Sequence, residues 1–451
     1  MNRRGFVTAA VFGGLTAVGS TALVGSAATT SEQPVPVTNP RATSGDAVEP
    51  DWAERLTITV GAGEGDLVGS NEKVIQAAVD SVARWGGGTV KILPGTYRFR
   101  NAVYLQSNVR ILGSGLDSVI IKEPSIAAKL SENSDWYDQE ITFADARGFQ
   151  VGDGICLQVK NMSNGGSVVI KRTLVARNGN RFKLDRALRD NVWLAGEPKV
   201  SGLFPLFSGE NIADVAFEDI TIDGNKANNE NLNGNYAGCI WMQDCNRLTL
   251  RKVTARNYNG DGISWQICHD VLVEDCHSHD HTGHALHPGS GSQRSVMRRN
   301  HLAGGDQGIF FCWGVRWGLA EKNRIEGSQV IGISIGHDDT DNVVRKNEIL
   351  GCGEAGIRFR DEEDAEFQGN RNLIEKNQIL DLTGEQGVGI DVKGRTKNIT
   401  IVENDIRETK GPGKRVGIRL GPETEQIALA ENHIEGFAEA VLDLRKKKSN
   451  S

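Results

Sequence analysis

The sequence predicts an all-β solenoid, one chain wound into stacked coils of short parallel strands, with a helical cap at its start and a small β-hairpin insertion. Two observations carry this. A short phrase, a small residue followed by an aliphatic one, returns at Cys239-Ile240, Gly262-Ile263, Ala285-Leu286, Gly308-Ile309, Gly332-Ile333, Gly356-Ile357, Gly389-Ile390, Gly417-Ile418 and Ala440-Val441. The first six starts are 23 or 24 residues apart, and two later intervals stretch to 33 and 28, which read as loop insertions. A second phrase runs in step: an aliphatic residue, then Asn, then Ile or Leu, as in Val296–Leu302 around Asn300, Leu319–Ile325 around Asn323 and Val343–Ile349 around Asn347, continued by Asn377, Asn404 and Asn432. A fixed period of this length marks stacked repeats. The alternating stretches lack a helical period, so each repeat is a coil of strands. An Asn at the same turn of every coil can bond up and down the stack, which makes that column structural.

Each segment can be taken in chain order. Arg3 and Arg4 precede an apolar, small-residue run to Val24, and Ser26-Ala27-Ala28 suits cleavage. Residues 1–28 therefore read as an export signal of the twin-arginine type, too short and wrongly flanked for a membrane span. Export to the periplasm or the exterior follows. Residues 29–50, rich in Pro, Ser and Thr, read as a disordered linker. The solenoid is expected over 51–445, with 446–451 a solvated basic tail. Asn71–Arg84 has a helical apolar pattern (Val74, Ile75, Ala78, Val79, Val82), followed by a strand at Thr89–Leu93 and a turn at Pro94–Tyr97. A solenoid end exposes its core and open strand edges, and this helix is the natural cap. Residues 135–198 break the repeat. Val168–Ala176, Asn178-Gly179 and Arg181–Leu184 read as a β-hairpin insertion.

Composition narrows the function. The net charge of −7 argues against a nucleic-acid partner, although it leaves room for a locally basic cleft. The seven cysteines are odd in number and form no CxxC pair, so free buried thiols are expected rather than disulfides or zinc, in keeping with folding in a reducing compartment before export.

The repeat register places the chemistry. Ile263, Leu286, Ile309, Ile333 and Ile357 point inward, as do Trp265, Pro288, Phe311, Ile335 and Phe359 two residues on. Between them, Trp241, Ser264, His287, Phe310, Ser334, Arg358 and Asp391 point outward. The next outward column holds Gln243, Gln266, Gly289, Cys312, Gly336, Arg360 and Lys393. Asp261, His284 and Gln307 precede successive strands, with Asp306 beside Gln307. At about 4.8 Å between coils these form one polar patch. Eight of the nine histidines lie between His269 and His337. His277, His279 and His281 are read as a solvated turn, or, alternatively, as a zinc site on one strand face. Trp241, Trp313 and Trp317 could stack on sugar rings or merely cover coil edges. The clusters His337-Asp338-Asp339 and Asp361–Asp364 are solvated loops or could hold Ca²⁺.

The stretch Asn71–Gly115, NEKVIQAAVDSVARWGGGTVKILPGTYRFRNAVYLQSNVRILGSG, resembles the opening of the pectate-lyase-like superfamily of single-stranded right-handed parallel β-helices, which includes polygalacturonases, other polysaccharide hydrolases, lyases and uronate epimerases. The resemblance implies a polysaccharide substrate and leaves the reaction open, since one scaffold hosts several chemistries. Asn259–Ser264, NGDGIS, is similar to the first catalytic motif of polygalacturonases. Where that family carries a paired Asp one coil on, this chain reads Gly283-His284-Ala285. His284–Ser290, HALHPGS, is distantly similar to the Asp-Pro-His element of alginate C5-epimerases, with Ala285 in place of the Asp, so only His287 carries over.

Three readings follow. The favoured one is a lyase on uronate-bearing chains: Asp261, His284, His287 and Asp306 are the catalytic candidates, and Trp241, Gln243, Gln266, Gln307, Trp313, His337, Arg358 and Arg360 the substrate-binding ones. The second is an inverting glycoside hydrolase whose carboxylates, Asp261 and Asp306, sit two coils and about 10 Å apart, near the inverting range of about 6.5–9.5 Å. The third is a non-catalytic carbohydrate-binding or adhesin β-helix, against which the His/Asp/Arg cluster weighs.

Overall fold

The computed structural model describes residues 49–445 other than Ser163 and Glu363. The expected export signal, the linker up to residue 48 and the basic tail lie outside the described residues.

Each repeat winds into one coil because its alternating apolar residues can be buried only against the coils before and after it. The coil of His284, for example, has strands His284–Pro288, Val296–Arg298 and His301–Ala303. The first kind of strand builds an eleven-stranded parallel sheet from Val103–Tyr104 to Glu439–Asp443, and the other two belong to a second, 22-stranded sheet. The register is as expected. Ile263, Leu286, Ile309, Ile333, Ile357, Ile390 and Ile418 are successive partners in one inward column. Trp265, Phe311, Ile335 and Phe359 are fully buried beside it.

The Asn column is continuous. Each amide from Asn300 to Asn404 donates to the Oδ1 of the next, through Asn323, Asn347, Asn377 and Asn404 to Asn432, at 2.9 Å every time. The same Oδ1 accepts the backbone N–H of the Asn below it. The ladder holds a conformation the sequence does not advertise: the residues just before these asparagines, Arg299, Lys322, Lys346, Lys376, Glu403 and Glu431, all have φ of 54–56°. Left-handed backbone costs a residue with a Cβ roughly 1–2 kcal/mol, so each corner is strained and each is bridged by an amide.

The cap helix is Glu72–Arg84, started by Asn71, whose side chain accepts the N–H groups of Lys73 and Val74. It lays Ile75, Ala78, Val79 and Val82 over the first coils. Two expectations need correction. Pro94–Tyr97 is not a four-residue turn: the chain turns at Pro94 and enters the strand Gly95–Phe99, burying Tyr97, whose hydroxyl donates to the carbonyls of Val60 and Leu93. The hairpin Ser167–Asn178/Arg181–Leu184 is present, but within a six-stranded antiparallel sheet reaching from Ala127 to Ser201, wider than 135–198. An isolated hairpin is marginal in water, and this one is packed on a core of its own, with Phe143, Phe149, Leu157 and Phe182.

Candidate active site

The site lies on the outward face of the eleven-stranded sheet. Trp241, Ser264 and His287 are register partners, as are Phe310, Ser334, Arg358 and Asp391. His284 pairs with Gln307 on the neighbouring strand. The parallel register therefore stacks Asp261, His284, His287, Asp306 and Gln307 on three adjacent coils, as the sequence predicts.

Asp261 is buried and doubly committed. Its Oδ2 lies 2.6 Å from His287 Nδ1, and its Oδ1 accepts the His284 backbone N–H at 2.9 Å. Burial alone would push this carboxyl up; the two imidazoles and the His284 N–H outweigh it and hold it below the usual carboxylate range. An ionised carboxylate only accepts, so His287 Nδ1 is the donor of this bond, and Nε2 is the nitrogen left for a substrate. Glycine makes this approach feasible: a Cβ on Gly234 or Gly283 would lie 1.6 or 2.2 Å from the Asp261 carboxylate.

His287 Nε2, His284 Nδ1 and Gln307 Oε1 are all buried and have no hydrogen-bond partner among the described residues. Burial pulls His284 down, against the raising pull of Asp261, so it is neutral near pH 7. Its Nδ1 is 3.7 Å from Asp306 Oδ2, outside hydrogen-bond length. Phe310, placed in the outward column but not in the candidate site, ties the patch together. Its ring centroid is 4.3 Å from that of His284 and 5.2 Å from that of His287, with the Arg360 guanidinium 4.7 Å from its centroid.

Other candidates stand elsewhere or are already engaged. Trp241 is 3% exposed and lies under Lys171, whose ammonium is 3.1 Å from the ring centroid, so it offers no stacking surface. Nothing in the repeat could signal this, because Lys171 comes from the insertion. Gln266 is buried, donating to Ser264 Oγ and accepting the Ser290 N–H; it fixes a turn. Gln243 donates to Asp244. Arg358 is paired with Glu354 and Asp391. Arg360 is paired with Glu362 and Asp339 and donates to the Phe311 carbonyl and Ser334. Asp339 is fully buried, which pushes its carboxyl up to about 6 against the pull of Arg360. Trp313, by contrast, is 57% exposed and stacks on His337 at 4.6 Å; His337 in turn stacks on Phe367 at 4.5 Å. Phe367 lies in a loop outside the repeat phrases, and no periodic signal marks it.

The zinc and Ca²⁺ readings gain no support. His277 and His279 lie on one strand and stack at 4.1 Å, His277 stacks on His301 at 4.5 Å, and His281 is buried, so the trio is not a solvated turn. Asp338 pairs with Arg316 and Asp364 caps a short 3₁₀ turn. Among the described residues no group of three or more His, Cys, Asp or Glu is arranged to hold a metal ion. No helix of the described residues is long and apolar enough to cross a membrane.

No curated protein matches the sequence. Residues 238–406 match the family model of the right-handed β-helix region. Of solved structures, the A-module of mannuronan C-5 epimerase AlgE6 from Azotobacter vinelandii aligns over 82% of this chain and 91% of its own, at 15% identity and a TM-score of 0.54. PfbA, a surface adhesin of Streptococcus pneumoniae, aligns over 80% of each chain at 14% identity and a TM-score of 0.50. Likeness at this identity is likeness of fold, and with the stacked register above it establishes the chain as a right-handed parallel β-helix protein.

Proposed function

We propose that this protein is an exported polysaccharide lyase acting on uronate-bearing chains, with His287 as the base. The observation that carries the reading is the buried Asp261–His287 pair, whose unpartnered Nε2 is accompanied on the same and the next coil by two more unpartnered polar atoms, His284 Nδ1 and Gln307 Oε1. Buried polar groups are almost always paired, and three orphans on adjacent coils are what a substrate would satisfy. In elimination, Nε2 takes the proton next to the uronate carboxylate, the bond to the leaving glycosidic oxygen breaks, and the imidazolium so formed returns a proton from Nε2 to that oxygen. Gln307 Oε1 suits a sugar hydroxyl. The half-buried Phe310 packs against both imidazoles. The exposed Trp313–His337–Phe367 stack is a platform for a flanking sugar ring. Asp261 is held by two hydrogen bonds and kept ionised, which leaves it no proton to give as a general acid and suits it to orienting His287. Seven buried free cysteines agree with folding before export.

The test is incubation of the mature protein with a panel of uronate-bearing polysaccharides, following ultraviolet absorbance of an unsaturated product and reducing ends together. Both should rise. Reducing ends without absorbance would replace the lyase by a hydrolase, and neither signal on any polymer would favour a binding protein.

A further inference from the structure

We infer that the insertion carries a second glycan site, separate from the Asp261–His287 patch, built for one acidic sugar residue of the same polymer. The inference rests on the reading of an acidic polysaccharide as the ligand.

The insertion is globular in its own right, yet it leaves large aromatic side chains on its surface. Trp136 is 51% exposed, Tyr137 59% and Trp193 38%. The polar atoms of Tyr137 and Trp193 are satisfied by one group: Asp135 accepts the Trp193 indole N–H at 2.9 Å on Oδ1 and the Tyr137 hydroxyl at 3.0 Å on Oδ2. The Trp136 backbone N–H donates to Asn191 at 3.0 Å, tying the two aromatic segments together. The rings of Trp136 and Tyr137 meet edge to face at 5.6 Å. What remains free is ring surface, held in fixed orientation. Sites of this kind bind ligands having one apolar face and a polar rim, because the ordering of the rings is already complete in the free protein.

Trp136 and Trp193 open on a cavity of about 190 Å³ that Lys160 and Arg189 also line, with Asp190 the one acidic residue beside them. Neither Lys160 nor Arg189 has an ion-pair partner among the described residues, in contrast to Arg358 and Arg360 in the cleft. The volume is below that of a drug-sized pocket and fits a single sugar unit. Lys160 and Arg189, without ion-pair partners, face the one lining carboxylate of Asp190, Asp135 being committed to the Trp193 and Tyr137 donors; this favours an anionic unit, and the exposed rings select a pyranose face over an inorganic anion.

The experiment uses the full mature chain carrying His287→Asn, so that bound polymer is not degraded, and measures its retention by polygalacturonate and by dextran in affinity electrophoresis. Adding Trp136→Ala with Trp193→Ala should weaken retention by polygalacturonate about tenfold, the scale of one lost stacking contact. Lys160→Gln with Arg189→Asn should give a similar loss that shrinks as salt is raised, and it covers the case in which the double Trp variant fails to fold. Unchanged retention in the cation pair, or in a folded Trp variant, overturns the site. Equal retention by dextran overturns its acidic preference. If no polymer is turned over by the unmutated protein while Trp-dependent retention persists, the lyase reading fails and the second site stands.

Discussion

Two polar columns run along this solenoid, and they are opposites. In the column from Asn300 to Asn432, every amide lies one coil from an identical amide and its donors and acceptors meet. In the column of Asp261, His284, His287 and Gln307, the same coil spacing brings unlike groups together, and three buried atoms are left over. Identical stacking geometry thus gives a ladder where the side chains repeat and a site where they do not. Satisfaction of buried polar atoms, more than burial or position, separates these two columns.

The largest effect expected from breaking this contrast is at the orphaned end. His287→Asn should lower turnover by about 10²–10⁴, the usual contribution of a general base, while leaving the thermal midpoint nearly unchanged, since the Asn amide can replace Nδ1 as the donor to Asp261 and Nε2 holds nothing in place. A large drop in the midpoint would return His287 to the structural column. The converse is Asn347→Ala. It strands the Asn323 amide and backbone N–H and the Ala320 carbonyl inside the ladder. Each orphan costs about 1–3 kcal/mol, so denaturant unfolding should show a loss of about 3 kcal/mol or more, with turnover of the remaining folded protein intact.

How much of this was legible follows from the same contrast. The coil period, the inward column and the Asn ladder were readable because each is repeated, and repetition is what periodicity detects. Asp261, His284, His287, Asp306 and Gln307 could be placed together for the same reason: they fall on fixed positions of the repeat. What register could not give was engagement. Arg358 and Arg360 looked like cleft cations, but Glu354 and Glu362 reach them from loops, and Asp391, in the same outward column, pairs with Arg358 and leaves it engaged. Trp241 looked like a platform until the insertion laid Lys171 across it. The left-handed corners before each Asn were invisible because Arg, Lys and Glu have no preference for them; the amide ladder imposes the conformation from outside.

A smaller effect sharpens the comparison among the histidines themselves. His281 is buried like His287, but both its nitrogens are used: Nδ1 accepts the Tyr258 N–H at 3.2 Å, and Nε2 meets Ser278 Oγ at 3.1 Å, whose own proton goes to the Ala285 carbonyl. Burial pulls His281 down to about 3 and His277 to about 4. A histidine depressed in the fold takes up its proton in the unfolded chain first, so its contribution is present above the unfolded value of about 6.5 and is lost as pH falls toward the folded one. Asp339, raised to about 6, works the other way, since its folded form holds a proton that the unfolded chain has released. With His284 also depressed, three histidines outweigh one carboxyl, and stability should climb from about pH 4 to about pH 6.5. His281→Asn should flatten that slope by about 1.4 kcal/mol per pH unit, one proton's worth, and an unaltered slope would show that the imidazole is protonated in the folded protein.

The smallest effect concerns the rim, where the contrast is between an exposed ring and a covered one. Trp241 and Trp313 were equivalent candidates for sugar stacking, yet only Trp313 presents a face, backed by His337 and Phe367. An aromatic contact of this kind contributes about 1 kcal/mol, so Trp313→Ala should raise KM about fivefold with little change in kcat, the pattern of a group that binds ground and transition states alike. Trp241→Phe keeps the buried ring under Lys171 and loses only the indole N–H bond to the Asn235 carbonyl; it should leave KM unchanged and lower the melting point slightly. If the two variants behaved alike in KM, exposure would not be what distinguishes them, and the cleft would have to extend over the insertion.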